Sequence, residues 1–336
     1  MITVSRAARV SYASLRATAN LGTNGTAMRT LRLAYRDDDR TPVIFCIKEM
    51  ARRHYDIDVE VVQIQGTEEY EAALFDGSCD VIIEHLEYLY DEAGKGKKVA
   101  IFCAPSKGSS QELVVRAHIH APEELKGGTL AVRSSGQPHA AVLWLRMMGL
   151  EKTVQTILVK DSEVGRWGQW KKVVSGECIG TFMSPLYLKP ALSAGLKVLD
   201  VPDLPSVGQY AQACRSEFAA KNSQLLKDYL KATIHAVCLM IFRRDEALAI
   251  VSTEPMKRMK IESREGMERQ FDAIAKGLKP KPYPTPQAIV NTYDMAVLDY
   301  PDAKDMNPLS LWDLHWVRQL DDEGFLDGLI DNLAKP

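Results

Sequence analysis

Four short segments of this 336-residue chain carry side chains able to bind or transform a small ligand. The first runs Arg36, Asp37, Asp38, Asp39, Arg40, Thr41. Three successive carboxylates beside two guanidiniums can hold a cation, or can raise one carboxyl's pKa by like-charge repulsion and ready it for proton transfer. A solvated turn in which Asp39 or Thr41 caps the next helix explains the same residues. The second segment is Glu84–His85, a general acid or base near neutral pH and two possible metal ligands. Successive strand side chains point oppositely, so Glu84 is the preferred cleft residue, and His85 fits a structural role equally well.

The third segment is SSGQPH (134–139). Ser134, Ser135 and Gly136 open a helix whose unpaired N–H groups and partial positive charge suit an anion, with His139 in the first turn. Simple helix capping by the serines is the competing use. The fourth is GRWGQW (165–170), together with Ser184. Arg166 can clamp a carboxylate bidentately and Trp167 can wall the ligand, although amphipathic packing accounts for Trp167 and Trp170 almost as well. The catalytic candidates are therefore Asp37, Asp38, Glu84 and His85. The substrate-binding candidates are Arg36, Arg40, Thr41, Ser134, Ser135, Gly136, His139, Arg166, Trp167 and Ser184. No glycine-rich phosphate loop, GxSxG elbow or HExxH motif is present.

Alternating strand-like and helix-like pieces place these segments. LRLAY (31–35), VEVVQI (59–64), DVII (80–83), KVAIFC (98–103) and ELVVR (112–116) read as strands, with helices at 41–55 and 68–77. A second unit repeats the pattern with strands at 128–132, 155–160, 178–183 and 196–201 and a helix at 163–177. NSQLLKDYLKATIHAVCLMIFRR (222–244) is one long helix, followed by a helical tail with Pro-rich breaks. The spacing predicts an α/β chain of two mostly parallel sheets flanked by helices, with ligand contacts outside the carboxyl ends of the strands. Lobe one takes 29–117 plus 208–336, and lobe two takes 118–207.

Composition narrows the classes of partner. With 42 Lys+Arg against 44 Asp+Glu, 46% hydrophobic and 26% charged residues, the chain has ample core and a net charge of −2, giving no reason to expect nucleic acid. No stretch of about 18 uninterrupted apolar residues suggests a membrane span. The six cysteines are scattered singly and read as buried thiols of a reducing compartment. No Asp or Glu precedes Asp37, while six arginines do, so the head carries about +6 and the remainder about −8. Residues 1–28 read either as an organelle transit peptide or as an extension before an internal start at Met28. The apolar region of a secretory signal is not seen, and the expected location is cytoplasmic, or the mitochondrial matrix if a transit peptide is present.

The phrases AALFDGSCDV (72–81), PEELKGGTLAV (122–132), GQWKKVVSGECIGTFMSP (168–185) and FAAKNSQLLKDYLKA (218–232) stand in an order that resembles the type II periplasmic-binding-protein fold. The branch is that of the nitrate, sulfonate and taurine binders and the thiamin pyrimidine-precursor synthases. AYRDDDRTP (34–42), Glu84 and VLWLRMMGL (142–150) are similar to segments of the dihydroxyphthalate decarboxylases of the same fold. Glu84 stands where the resemblance to the thiamin-precursor synthases would place a cofactor lysine, and their cysteine cluster is missing, which disfavours pyridoxal phosphate. The resemblance implies one of two functions. The first is an intracellular decarboxylase or related lyase acting on a small, aromatic or heteroaromatic carboxylate, with a divalent metal as an optional aid through Asp38 and Glu84. The alternative is the solute-binding component of an ABC importer for a small organic anion or a nitrogen or sulfur compound, with the permease as its partner.

Overall fold

A computed structural model describes residues 28–36, 38–108, 111–133, 138–207 and 209–335. Its ten strands are β1 (Arg29–Tyr35), β2 (Ile57–Gln63), β3 (Val81–Ile83), β4 (Val99–Cys103), β5 (Glu112–Arg116), β6 (Thr129–Arg133), β7 (Gln155–Val159), β8 (Gly180–Met183), β9 (Leu196–Leu199) and β10 (Gln212–Arg215). They form two five-stranded sheets, ordered β2-β1-β3-β10-β4 and β7-β6-β8-β5-β9.

Alternation along β1 builds the larger core. Leu31, Leu33 and Tyr35 face helices Thr41–His54 and Ser223–Phe242, which bury Ile44, Ile47, Met50, Leu226, Tyr229, Leu230 and Val237 against them. Ala34 points to the opposite face, where Ile82, Ala213, Tyr70 and Leu89 pack. Pro42, in the first turn of Thr41–His54, lacks only an N–H that the helix start leaves unbonded anyway. All six cysteines are buried and free.

Each sheet is parallel except for one strand. β10 runs antiparallel between β3 and β4, and β5 runs antiparallel between β8 and β9. The chain thus leaves the first sheet after β4 and returns at β10. β5 was grouped with the first lobe from the sequence, but Glu112 pairs with Met183 and Leu113 with Leu199, which makes it a strand of the second sheet. An amphipathic strand next to the crossing carries no label for the sheet it joins.

One local expectation also changes. The helix expected over 163–177 is split into Asp161–Val164 and Trp170–Val174, because Gly165 and Trp167 take left-handed φ values of 85° and 56° that no helix contains. Asn222 stands at the start of the long helix, yet its side-chain amide donates back to the Phe218 carbonyl instead of capping forward.

Where helices Thr41–His54 and Ser223–Phe242 meet, the rings of His54 and His235 lie 4.6 Å apart, and the Tyr55 hydroxyl lies 3.4 Å from His235 Nδ1. Burial, followed by the neighbouring His54, holds His235 down at about 4 from its ordinary 6.5. The unfolded chain therefore binds a proton here that the folded chain refuses. Stability from this site is present above about pH 6.5 and is lost as pH falls toward 4. His235→Gln should flatten the fall of the urea midpoint across that window; a slope equal to wild type would contradict the assignment.

Candidate functional site

The carboxyl ends of β1, β3, β6 and β8 carry most of the candidate residues, and Arg166 and Trp167 lie in the loop beyond β7. Asp37, Ser134, Ser135 and Gly136, with residues 1–27 of the N-terminal extension, lie outside the described residues. His139 falls in helix Pro138–Met147.

Glu84 is fully buried just past β3. Glu84 and His85 both adopt left-handed backbone, with φ 78° and 48°, a conformation that costs a non-glycine residue energy. The fully buried Tyr70 hydroxyl holds this turn, lying 2.8 Å from the Ile83 carbonyl and 2.9 Å from that of Glu84. Burial first, then neighbouring Tyr88, pushes the Tyr70 phenol well up, so it stays a donor. The turn sends the Glu84 carboxylate back toward the loop after β1. There Oε1 accepts the Arg36 backbone N–H at 2.6 Å, and Oε2 lies 2.8 Å from Arg40 Nε. The second contact is an ion pair without good hydrogen-bond alignment. His85 Nε2 stands 3.7 Å from the same oxygen.

Arg40 is nearly as buried as its partner. It also meets Asp39 Oδ2 at 3.1 Å and covers the Tyr210 ring at 5.2 Å. Burial, ahead of a lowering effect of Arg40, raises the Tyr210 phenol far above the ordinary tyrosine value. Thr41 turns inward, its hydroxyl donating to that of Tyr35 at 3.3 Å.

Asp38 faces the other lobe. Its Oδ1 accepts from Gln63 Nε2 at 2.6 Å, and its Oδ2 accepts from Arg166 Nη1 at 3.2 Å. Arg166 begins a ladder on lobe two. Its guanidinium lies 5.8 Å from the Tyr187 ring centre, Tyr187 stacks on Trp167 at 5.5 Å and 15°, and Arg133 covers Trp167 at 4.8 Å. Arg133 in turn grips both oxygens of Asp161. That pairing, with help from the Trp167 backbone N–H, holds the Asp161 carboxyl below its ordinary value. The left-handed φ of Trp167 is what turns its indole into the ladder.

Asp39, Arg40, Ser184, Tyr210 and Gln270 line an inner pocket with about 20 Å³ of free volume, room for about one water. Past Pro185 and Gln270 lies a groove of about 760 Å³, with Leu188, Leu192 and Ile261 on its walls. Among the described residues no group of three or more His, Cys, Asp and Glu side chains is placed to hold a metal ion. Asp38 and Glu84 are instead each committed to an arginine. No described helix is long and apolar enough to cross a membrane.

Sequence reasoning singled out Glu84, Arg40, Asp38 and Arg166, and the structure brings all four to the facing edges of the lobes. It missed Arg133, Asp161, Gln63, Tyr187, Tyr210 and Gln270. A charged residue closing the apolar strand TLAVR was a usable signal for Arg133. Tyr210 and Gln270 reach the site only through the returning chain and the helical tail, so no local pattern could announce them.

This architecture of two α/β lobes with a returning strand and a helical tail is the type II periplasmic-binding-protein fold. The solved structures that share it include sulfonate binders. The sulfonate-binding protein SsuA of Methylobacillus flagellatus matches at TM-score 0.65 and 17% identity, over 90% of this chain and 96% of that one. The periplasmic aliphatic sulphonate binding protein SsuA of Escherichia coli matches at 0.63 and 18%, over 85% and 91%. A zinc-bound ligand-binding component of an ABC-type import system from Staphylococcus aureus matches at 0.60 and 10%, over 87% and 99%. No protein-family model matches the sequence, and no curated protein does.

These neighbours correct the functional expectation. They are binding proteins, two of them described as periplasmic, and none of the three is a decarboxylase or a cytoplasmic enzyme. The reading as an intracellular lyase, and the cytoplasmic location that went with it, is therefore set aside. The buried Glu84 carboxylate is engaged on both oxygens, by the Arg36 N–H and by Arg40.

Removing one partner of a buried ion pair strands the other charge. Glu84→Ala should cost about 3–5 kcal/mol in urea unfolding of the first lobe. Glu84→Gln, which keeps an acceptor for the Arg36 N–H, should cost less. An unchanged midpoint for Glu84→Ala would show that the pair does not organise the site.

Proposed function

We propose that this chain is a solute-binding protein that closes its lobes over a small organic anion, carboxylate or sulfonate, and presents it to an ABC permease outside the cytoplasmic membrane. The observation that carries the reading is the Arg166–Asp38 contact, a 3.2 Å ion pair between the lobes in which the guanidinium is 49% exposed. A ligand anion presents the same two oxygens as the Asp38 carboxylate and can take its place on Arg166 bidentately. Trp167 and Tyr187, pinned face to face between Arg133 and Arg166, give that anion a rigid wall. Because their rings are already ordered, little side-chain freedom is lost when a ligand docks.

Closure then follows from differential binding. An anion touching both lobes stabilises the closed arrangement by the contacts it makes only there. The resemblance of the fold to importer components supports delivery to a permease, and the sulfonate binders among the neighbours support an anionic solute.

A thermal-shift screen of small carboxylates and sulfonates tests this. At least one class should raise Tm saturably and be recovered chemically unchanged. Arg166→Ala should weaken that binding about 10- to 100-fold, the range for losing one charged hydrogen-bonded partner. Carbon dioxide release from an acid on the panel, or no saturable shift with any of them, would overturn the reading.

A further inference from the structure

Gln63 is the last residue of β2, the strand at the edge of the first sheet, and stands level with Tyr35 at the end of β1. The next residue is tied back to the sheet, its N–H donating to the Tyr35 carbonyl at 2.9 Å, so the half-buried Gln63 side chain leaves from fixed backbone beside the loop after β1. Its amide nitrogen donates to two oxygens of that loop, Asp38 Oδ1 at 2.6 Å and the Arg36 carbonyl at 3.2 Å. A carboxylate and a carbonyl can only accept. Only the NH2 end of the amide can therefore face them, and its two hydrogens match the two acceptors.

A hydrogen bond to a charged acceptor is of the stronger kind, and this one sets a direction. With Oδ1 held by Gln63, Oδ2 of the same carboxylate is turned across the lobes to Arg166, 3.2 Å away. An ion pair at a surface normally loses side-chain freedom when it forms, which cancels much of its attraction. Gln63 has removed that freedom from Asp38 in advance. Its second bond continues inward, because Arg36, whose carbonyl it holds, gives its N–H to the buried Glu84. Glu84, Arg36, Gln63, Asp38 and Arg166 thus form one line from the core of lobe one to the surface of lobe two.

We infer that Gln63 is a positioning residue that sets how firmly Asp38 holds Arg166, and through Asp38 the affinity of the site for its anion. The inference rests on the solute-binding reading and adds regulation of that site: Gln63 acts on the competitor of the ligand, not on the ligand. When an anion takes Arg166, Oδ1 of the released Asp38 stays on Gln63, and the carboxylate remains aimed at the guanidinium it has lost. The amide thereby favours the empty arrangement over the loaded one. Affinity is set below what Arg166 alone would give, and release of the solute is helped.

Calorimetric titration of the full chain with propanesulfonate and with propionate, comparing wild type, Gln63→Leu, Asp38→Asn and the double variant, tests this. Gln63→Leu should tighten the Kd of the probe that binds about two- to fivefold, the range for weakening one exposed ion pair. In the Asp38→Asn background the same change should move Kd by less than about 1.5-fold, because the two residues act through one contact. A Kd unchanged or weakened by Gln63→Leu, or an equal effect in both backgrounds, would overturn the proposal, since a residue that merely supports the edge strand acts whatever stands at position 38. Thermal unfolding of Gln63→Leu, Arg166→Ala and their double variant reads the same link without ligand. The double variant should lose no more Tm than the larger single loss, and additive losses would overturn the link. Binding of neither probe to wild type would count against the solute-binding reading, while non-additive unfolding would still support Gln63 as the residue that holds Asp38 on Arg166.

Discussion

A carboxylate with no exposed surface must find donors for both oxygens or cease to be charged, and the cleft edge of lobe one is built around that demand. Glu84 meets it with the Arg36 N–H and the Arg40 guanidinium. Doing so requires the chain to turn left-handed immediately after β3, and Tyr70 holds that turn from below. It also fixes the loop after β1, since one end of the loop donates to Oε1 and the other supplies Arg40. Everything that loop displays, including Asp38 toward lobe two and Asp39 toward the inner pocket, is placed by this one buried pair.

Lobe two meets that loop with a surface made by a different device. Gly165 and Trp167 interrupt what would otherwise be a continuous helix, and the break frees Arg166 and Trp167 to stand beside Tyr187 and Arg133. Cation and aromatic alternate along this ladder, each held by its neighbours, with Asp161 anchoring the far end and Asp38 the near one. Arg133 is fully committed to its own lobe. Arg166 is the member whose partner belongs to the other lobe, and under the proposed solute-binding function it is where closure and ligand exchange would couple.

Much of this was legible in the residues. Strand alternation such as Leu31, Leu33 and Tyr35 announced β1, and the position of Glu84 past the short apolar run DVII marked a strand-end polar residue. What could not be read was pairing at long range. Nothing local ties Arg40 to Glu84 or Asp38 to Arg166, because those partners meet only after two sheets have assembled. The ladder was hidden for a further reason: GRWGQWKKVV has a helical apolar spacing, and only the backbone shows that Gly165 and Trp167 refuse it. The charge of the head, which weighed toward an enzyme inside the cell, says nothing about the site, whose chemistry is set by residues from Asp38 onward.

If Asp38 holds the place of the ligand's anion on Arg166, relieving Arg166 of that partner should help the anion bind. Calorimetric titration of the best-binding anion into Asp38→Asn beside wild type measures this directly. A severalfold tighter Kd in Asp38→Asn is expected. A Kd unchanged or weakened would contradict the claim that ligand and Asp38 compete for one guanidinium between the lobes.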